Sequence, residues 1–233
     1  MVLLIHGLLG HMRGFGQLAP DLLGYGSQQD AGPFSLYAQV EYLHALLLRE
    51  NGKQPVHLLG HSIGGAIAML FARRYPELVQ SVTSMEGNFT LKDAFWSKAI
   101  SEMPLGDVER ALIADQHDPA AWLGRSGVTP NEERLRAALS HLTNQPASTM
   151  QAMAQSVVEI TGRPEYFEDI RAVIERGTPV HLIAGDRSRD AWDVPEFVLA
   201  AARTVTILPK TGHLITIESP QLFRKALTDI TAV

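Results

Sequence analysis

The chain has 233 residues and a net charge of −5, with no long run of lysine or arginine, so nucleic acid is not expected as a partner. Apolar residues make up 45% and charged residues 19%, which gives one ordinary domain, or one domain carrying an insertion, a sizeable core and leaves little room for disorder. With no cysteine there is no disulfide framework, thiolate nucleophile or cysteine-bearing metal site, as suits a reducing cytoplasm, and no apolar run reaches the roughly 18 residues of a membrane span.

Val2-Leu3-Leu4-Ile5 reads as a buried strand ending in His6-Gly7-Leu8-Leu9-Gly10; it is too short, and lacks the basic flank, for a signal peptide. Only twelve residues separate Gly7 from Pro20, where a loop, Pro20-Asp21-Leu22-Leu23-Gly24-Tyr25-Gly26, reads as following another strand. A helix and a strand of ordinary length do not fit in that gap. Either an αβ unit has been lost or residues are absent from the chain. Phe34, Tyr37, Val40, Leu43, Leu46 and Leu47 then recur near helical spacing over 34–50.

Val56-His57-Leu58-Leu59 is the next strand, and it runs into Gly60-His61-Ser62-Ile63-Gly64. The small-residue stretch from Gly65 to Arg74, stopped by Pro76, predicts a helix whose basic last turn, Arg73 and Arg74, complements its dipole. Ser62 therefore falls on a strand-to-helix turn. A turn that tight needs glycine-sized neighbours, strains the serine backbone and exposes its oxygen in front of a helix N-terminus. A lone serine between glycines is a weak signal, and its strand and helix flanks are what make it specific.

A strand over 79–85 ends at Glu86, after which helical stretches dominate to about residue 165. Phe89, Phe95, Trp96, Met103, Trp122, Met150, Met153, Tyr166 and Phe167 lie in that region; most read as its own core, the rest as walls of an apolar pocket. The acidic residues at 107, 109, 115 and 118 read as a solvated face. Strands return at 179–184 and 204–208, and a closing helix over 220–230 has Ser219 as its expected N-cap. Alternating short strands and helices imply a mostly parallel α/β sheet covered on both faces, with its site at the carboxyl ends of the strands.

Four ordered segments, HGLLG at 6–10, PDLLGYG at 20–26, GHSIGG at 60–65 and TGHLITIESP at 211–220, resemble the α/β-hydrolase superfamily. The resemblance implies an α/β-hydrolase core over 1–87 and 166–233 and a helical lid over 88–165, with a sheet that opens later than the family's usual one. It makes Ser62 the nucleophile and His213 the general base, since a serine hydroxyl needs a positioned imidazole to take its proton. Backbone N–H groups of Leu8 and Ile63 are the implied oxyanion donors, and His6 and His61 are structural. The family's commonest acid position, after the strand at 179–184, holds Ser188 here, between Asp186 and Asp190. A second family position, the end of the strand after the nucleophile helix, holds Glu86, as in haloalkane dehalogenases. Glu86 is the preferred acid and Asp186 the alternative, with Asp190 behind both.

A serine, where dehalogenases and epoxide hydrolases of this fold carry aspartate, implies acyl transfer without cofactor or metal. The expected substrate is a small carboxylic ester, thioester or lactone with an apolar acyl group. Cofactor-free haloperoxidase or perhydrolase activity, C–C hydrolysis, acyl transfer to another acceptor, and non-catalytic ligand binding are the alternatives on the same frame.

Overall fold

Among the described residues, five short runs become five parallel strands whose order in the sheet is their order in the chain. The computed structural model describes residues 1–15 and 18–231. In chain order the elements are β1 (Val2–Ile5), α1 (Leu36–Asn51), β2 (Val56–His61), α2 (Ile63–Arg74) and β3 (Val79–Met85). Six helices follow before the next strand: α3 (Phe95–Glu102), α4 (Leu105–His117), α5 (Pro119–Arg125), α6 (Glu132–Leu142), α7 (Ala147–Thr161) and α8 (Pro164–Glu175). The chain then runs through β4 (Val180–Gly185), α9 (Glu196–Ala201), β5 (Thr204–Leu208), α10 (Ile215–Glu218) and α11 (Pro220–Thr231).

Strand side chains alternate between two cores, as the pleat requires. Leu3, Ile5, Leu58, Val82 and Leu182 pack with Leu43 and Leu47 of α1, Ile67 and Phe71 of α2, and Ile170 of α8. Leu4, Leu59, Met85 and Ile183 face the other way, onto Phe223 and Leu227 of α11. Because each strand is added beside the last, right-handed crossovers bring the connecting helices to one face. The expectation of helices on both faces holds, but unequally. Beside α11, the second face is closed by Met12, Phe15 and Ala19 of the loop after β1.

That loop stands where the sequence leaves no room for an αβ unit. Among the described residues of that loop, Leu18 bridges Leu3 in parallel, its N–H donating to the Val2 carbonyl at 3.2 Å and its carbonyl accepting from Leu4 at 2.8 Å. Ser219 behaves differently from expectation too. Its hydroxyl pairs with Thr211 Oγ1 at 2.8 Å and so ties α11 to the loop before His213, leaving only its carbonyl to accept the first helical N–H, from Phe223 at 3.0 Å. Arg73 and Arg74 reach beyond their own helix end to Asp169 and Glu41, at 3.0 and 2.7 Å. Of the acidic residues read as a solvated face, Asp107 and Asp115 pair with Arg110 and Arg125, and Asp118 caps α5.

Candidate active site

Ser62 lies between β2 and α2 with φ 52° and ψ −123°, a conformation that L-residues adopt only when the surroundings enforce it. Its N–H donates to the Met85 carbonyl at 3.1 Å, and its carbonyl accepts from Gly65 and Asn88 at 2.9 and 3.2 Å. The flanking glycines are steric necessities. A Cβ on Gly60 would lie 2.0 Å from the Gly64 carbonyl oxygen, and one on Gly64 would lie 2.2 Å from that of Ile5.

Glu86 extends β3 by one residue, its N–H donating to the Ile183 carbonyl at 3.0 Å, and then turns with φ 43°. Its side chain is 4% exposed as a residue and fully engaged. Oε2 accepts from His213 Nδ1 at 2.6 Å, while Oε1 accepts from the Gly185 N–H at 2.8 Å and from Ser188 Oγ at 2.5 Å. Burial alone would raise the Glu86 pKa, but these hydrogen bonds and the neighbouring imidazole hold it below the ordinary glutamate value. The accepting carboxylate also fixes the His213 tautomer, with the proton on Nδ1 and Nε2 free.

The loop that carries His213 is held from three sides. Asp186 accepts the N–H groups of Lys210 and Thr211 at 2.8 and 3.0 Å, Glu218 accepts that of Gly212 at 2.7 Å, and His61 Nε2 donates to the His213 carbonyl at 3.0 Å. Thus Asp186, the alternative acid, is spent on loop backbone, and these contacts and Arg187 hold its carboxyl below the ordinary value. Asp190 is exposed and pairs with Arg189 at 3.5 Å. His61 lies against the His213 ring, with centroids 4.7 Å apart; burial and that neighbour lower its pKa to about 3, which keeps it neutral.

His6, buried at the end of β1, has an assignable tautomer. The Leu22 N–H donates to its Nε2 at 3.1 Å, so the ring proton sits on Nδ1 and is donated to the Gly7 carbonyl at 2.9 Å. Burial lowers its pKa to about 4, so the arrangement is neutral near pH 7. Since the carbonyl and N–H of a trans peptide point in opposite directions, fixing the Gly7 carbonyl also fixes the Leu8 N–H. Tyr25 Oη anchors the far side of Leu8, donating to its carbonyl at 3.1 Å. Ile63 opens α2, so its N–H has no intrahelical acceptor.

These groups meet at a cavity of about 760 Å³ lined by Leu8, Ser62, Glu86 and His213 from the strand ends, and by Phe95, Trp96 and Trp122 from α3 and α5. Phe89, Trp122, Met150, Met153 and Tyr166 are buried, whereas Phe95 and Trp96 remain 62% and 44% exposed. Sequence reasoning noted Ser188 without giving it a task, and missed Trp192, whose Nε1 donates to the Gly87 carbonyl at 2.7 Å. The position of Ser188, three residues beyond the end of β4, was the available signal for the former; nothing in the local sequence marks the latter. Among the described residues no cluster of histidine and carboxylate has the arrangement of a metal site.

A family model described as "Alpha/beta hydrolase family" matches residues 2–226. The chain belongs to the alpha/beta hydrolase family. Among the curated relatives of this chain, lipase LipV of Mycobacterium tuberculosis is 39% identical over 95 residues, 36% of this chain and 36% of LipV. Lipase 1 of Psychrobacter immobilis is 33% identical over 111 residues, 42% of this chain and 33% of that lipase. The matches thus span about a third of those relatives' length. The solved structure of a thermophilic esterase from Thermogutta terrifontis superposes with a TM-score of 0.69 at 20% identity, covering 99% of this chain and 89% of the esterase, a likeness of fold. No helix among the described residues is long and apolar enough to cross a membrane.

Proposed function

We propose that this alpha/beta hydrolase cleaves a carboxylic ester, thioester or lactone with an apolar acyl group, through Ser62, His213 and Glu86. The observation that carries the reading is the 2.6 Å contact of His213 Nδ1 with a buried carboxylate, in a cavity whose wall includes a serine on a strained turn. His213 Nε2 takes the Ser62 proton as Oγ attacks the carbonyl carbon. The N–H groups of Leu8 and Ile63 receive the developing oxyanion. Collapse breaks the bond to the leaving alcohol or thiol, which takes the proton from His213. Water, deprotonated by the same imidazole, then releases the acid from the acyl-enzyme. Glu86 holds the tautomer and balances the imidazolium charge that appears in both steps.

The wall favours an uncharged substrate. The arginines that line the cavity already have carboxylate partners, Arg125 with Asp115 and Arg187 with Glu218 at 2.8 Å, while Leu8, Trp96, Trp122 and Ile217 offer apolar surface. In this reading residues 88–165 act as a cap over the core formed by 1–87 and 166–233. Lipase names among the relatives support ester substrates in general.

Intact-protein mass after treatment with a fluorophosphonate probe tests the proposal. One adduct per chain is expected, and none on Ser62→Ala. A folded parent protein that takes no adduct, or an adduct that persists in Ser62→Ala, overturns it.

A further inference from the structure

Glu86 presents one oxygen to His213 and the other to a site built by the end of β4. There Oε1 receives the backbone N–H of Gly185 at 2.8 Å and the hydroxyl of Ser188 at 2.5 Å. The Gly185 donor belongs to the backbone of β4 and leaves the carboxylate free to rotate about that contact. A second donor on the same oxygen removes that freedom, because two fixed N–H and O–H directions define the carboxylate plane. Glu86 needs such help more than a residue of ordinary conformation would. It stands at φ 43°, and its glutamate side chain has one more rotatable bond than an aspartate.

We propose that Ser188 is a positioning residue for the reaction, which fixes Glu86 Oε1 so that Oε2 stays aligned with His213 Nδ1 as the imidazolium forms. The inference rests on the triad reading above. Ser188 also lines the active-site cavity, but its short contact is with Glu86, so its effect belongs in turnover and not in substrate affinity. Trp192 supports the same segment, since its indole N–H holds the Gly87 carbonyl at 2.7 Å. That contact acts on the backbone next to Glu86 and leaves the orientation of the carboxylate to Ser188.

The test is a double-mutant cycle on p-nitrophenyl butyrate hydrolysis, with Ser188→Ala, Ser188→Thr, Glu86→Gln and Glu86→Gln/Ser188→Ala, each checked for folding by its thermal melt. Ser188→Ala is expected to lower kcat about tenfold, the scale of one hydrogen bond to a charged acceptor, with KM within about twofold. Ser188→Thr keeps the hydroxyl and is expected to recover most of the loss. In the Glu86→Gln background, removing Ser188 is expected to cost less than about twofold, because a group acting through Glu86 has nothing left to align. Parental kcat in Ser188→Ala, or an equal loss in both backgrounds, overturns the proposal. The two readings fail separately. Parental kcat in Glu86→Gln overturns the triad, whereas an inactive Glu86→Gln beside an unaffected Ser188→Ala overturns only the role of Ser188.

Discussion

Glu86→Gln is the substitution whose consequence the geometry specifies most closely. The amide is nearly the size of the carboxylate, but its two ends are no longer alike. At the Oε1 position the Gly185 N–H, 2.8 Å away, can only donate, so the amide oxygen must stay there. The amide nitrogen is therefore forced to the Oε2 position, facing His213 Nδ1 where 2.6 Å now separates the pair. Two donors would collide at that distance. The imidazole relieves the clash by moving its proton to Nε2, which presents Ser62 with an N–H where it needs a base. A misplaced tautomer of this kind lowers kcat by about four orders of magnitude in triads that have been dissected. The packing is nearly unchanged, so the melt should move little compared with the loss of rate. Hydrolysis of p-nitrophenyl butyrate under saturating conditions reads kcat directly, and the rate of fluorophosphonate labelling gives a second measure of the same defect. A fall of less than about tenfold in a folded variant would refute the tautomer argument, since it would mean that His213 is oriented by another group.

Asp186→Asn is the control for that experiment: the amide gives up one of the Lys210 and Thr211 N–H contacts but touches no imidazole nitrogen, so kcat should fall far less than in Glu86→Gln, and a loss matching that of Glu86→Gln would exchange the two assignments. Gly64→Ala places a methyl 2.2 Å from the Ile5 carbonyl oxygen and 2.7 Å from that of His6; prising α2 from β1 should cost about 1–3 kcal/mol, read as a lower denaturation midpoint, and slow fluorophosphonate labelling. Part of the acid sensitivity follows from His6, whose pKa falls from an ordinary 6.5 to about 4 on burial, beside His11, His61 and His141, which burial lowers as well. The unfolded chain then binds a proton the folded one refuses, so its contribution is complete above pH 6.5 and lost as pH falls through 4, by about 3 kcal/mol at that point. Denaturant melts between pH 7.5 and 4.5 should show the decline, and a His6→Gln variant that declines as steeply would refute its attribution to this residue.

The elements that were readable in the sequence are those whose signal is local. β2 and α2 were legible because an apolar run, a glycine-flanked serine and a small-residue helix follow one another without a gap, and the glycines are required by contacts within that same unit. Pairings between distant segments were less legible. The sequence offers Glu86, Asp186 and Asp190 as carboxylates near strand ends, and spacing alone does not say which one the imidazole loop will meet. The 2.6 Å contact of Glu86 with His213 spans 127 positions, and depends on where β3, β4 and the loop after β5 end relative to one another. Ser219 shows the same limit in reverse. Its place before a helix reads as a cap, yet a tertiary partner, Thr211, takes the hydroxyl instead. The division of the aromatic residues of 88–165 between core and cavity wall was likewise beyond composition, since Phe95 and Phe89 differ in exposure and not in chemistry.

The short segment after β1 raises a physical question: how does the sheet keep an ordered site beside an edge where, among the described residues, Leu18 alone bridges β1? Leu8, Ser62, Glu86, Ser188 and His213 are carried by the carboxyl ends of β1, β2, β3 and β4 and by the loop after β5, all strands paired in the sheet. What a further αβ unit would supply at the β1 edge is cover for Val2 and Leu4 and partners for the strand's outer backbone groups. Leu18 meets the second need at two hydrogen bonds, and Met12, Phe15 and Ala19 meet the first, with Phe15 edge-on to Phe223 of α11 at 4.7 Å between ring centroids. The Leu8 segment, moreover, takes its support from elsewhere: Leu22 through His6, Tyr25 at the Leu8 carbonyl, and Gln145 Oε1 accepting the Gly10 N–H at 3.0 Å. The abbreviated edge therefore bears on the stability of the sheet, while the geometry around Ser62 is set by contacts that the abbreviation leaves in place.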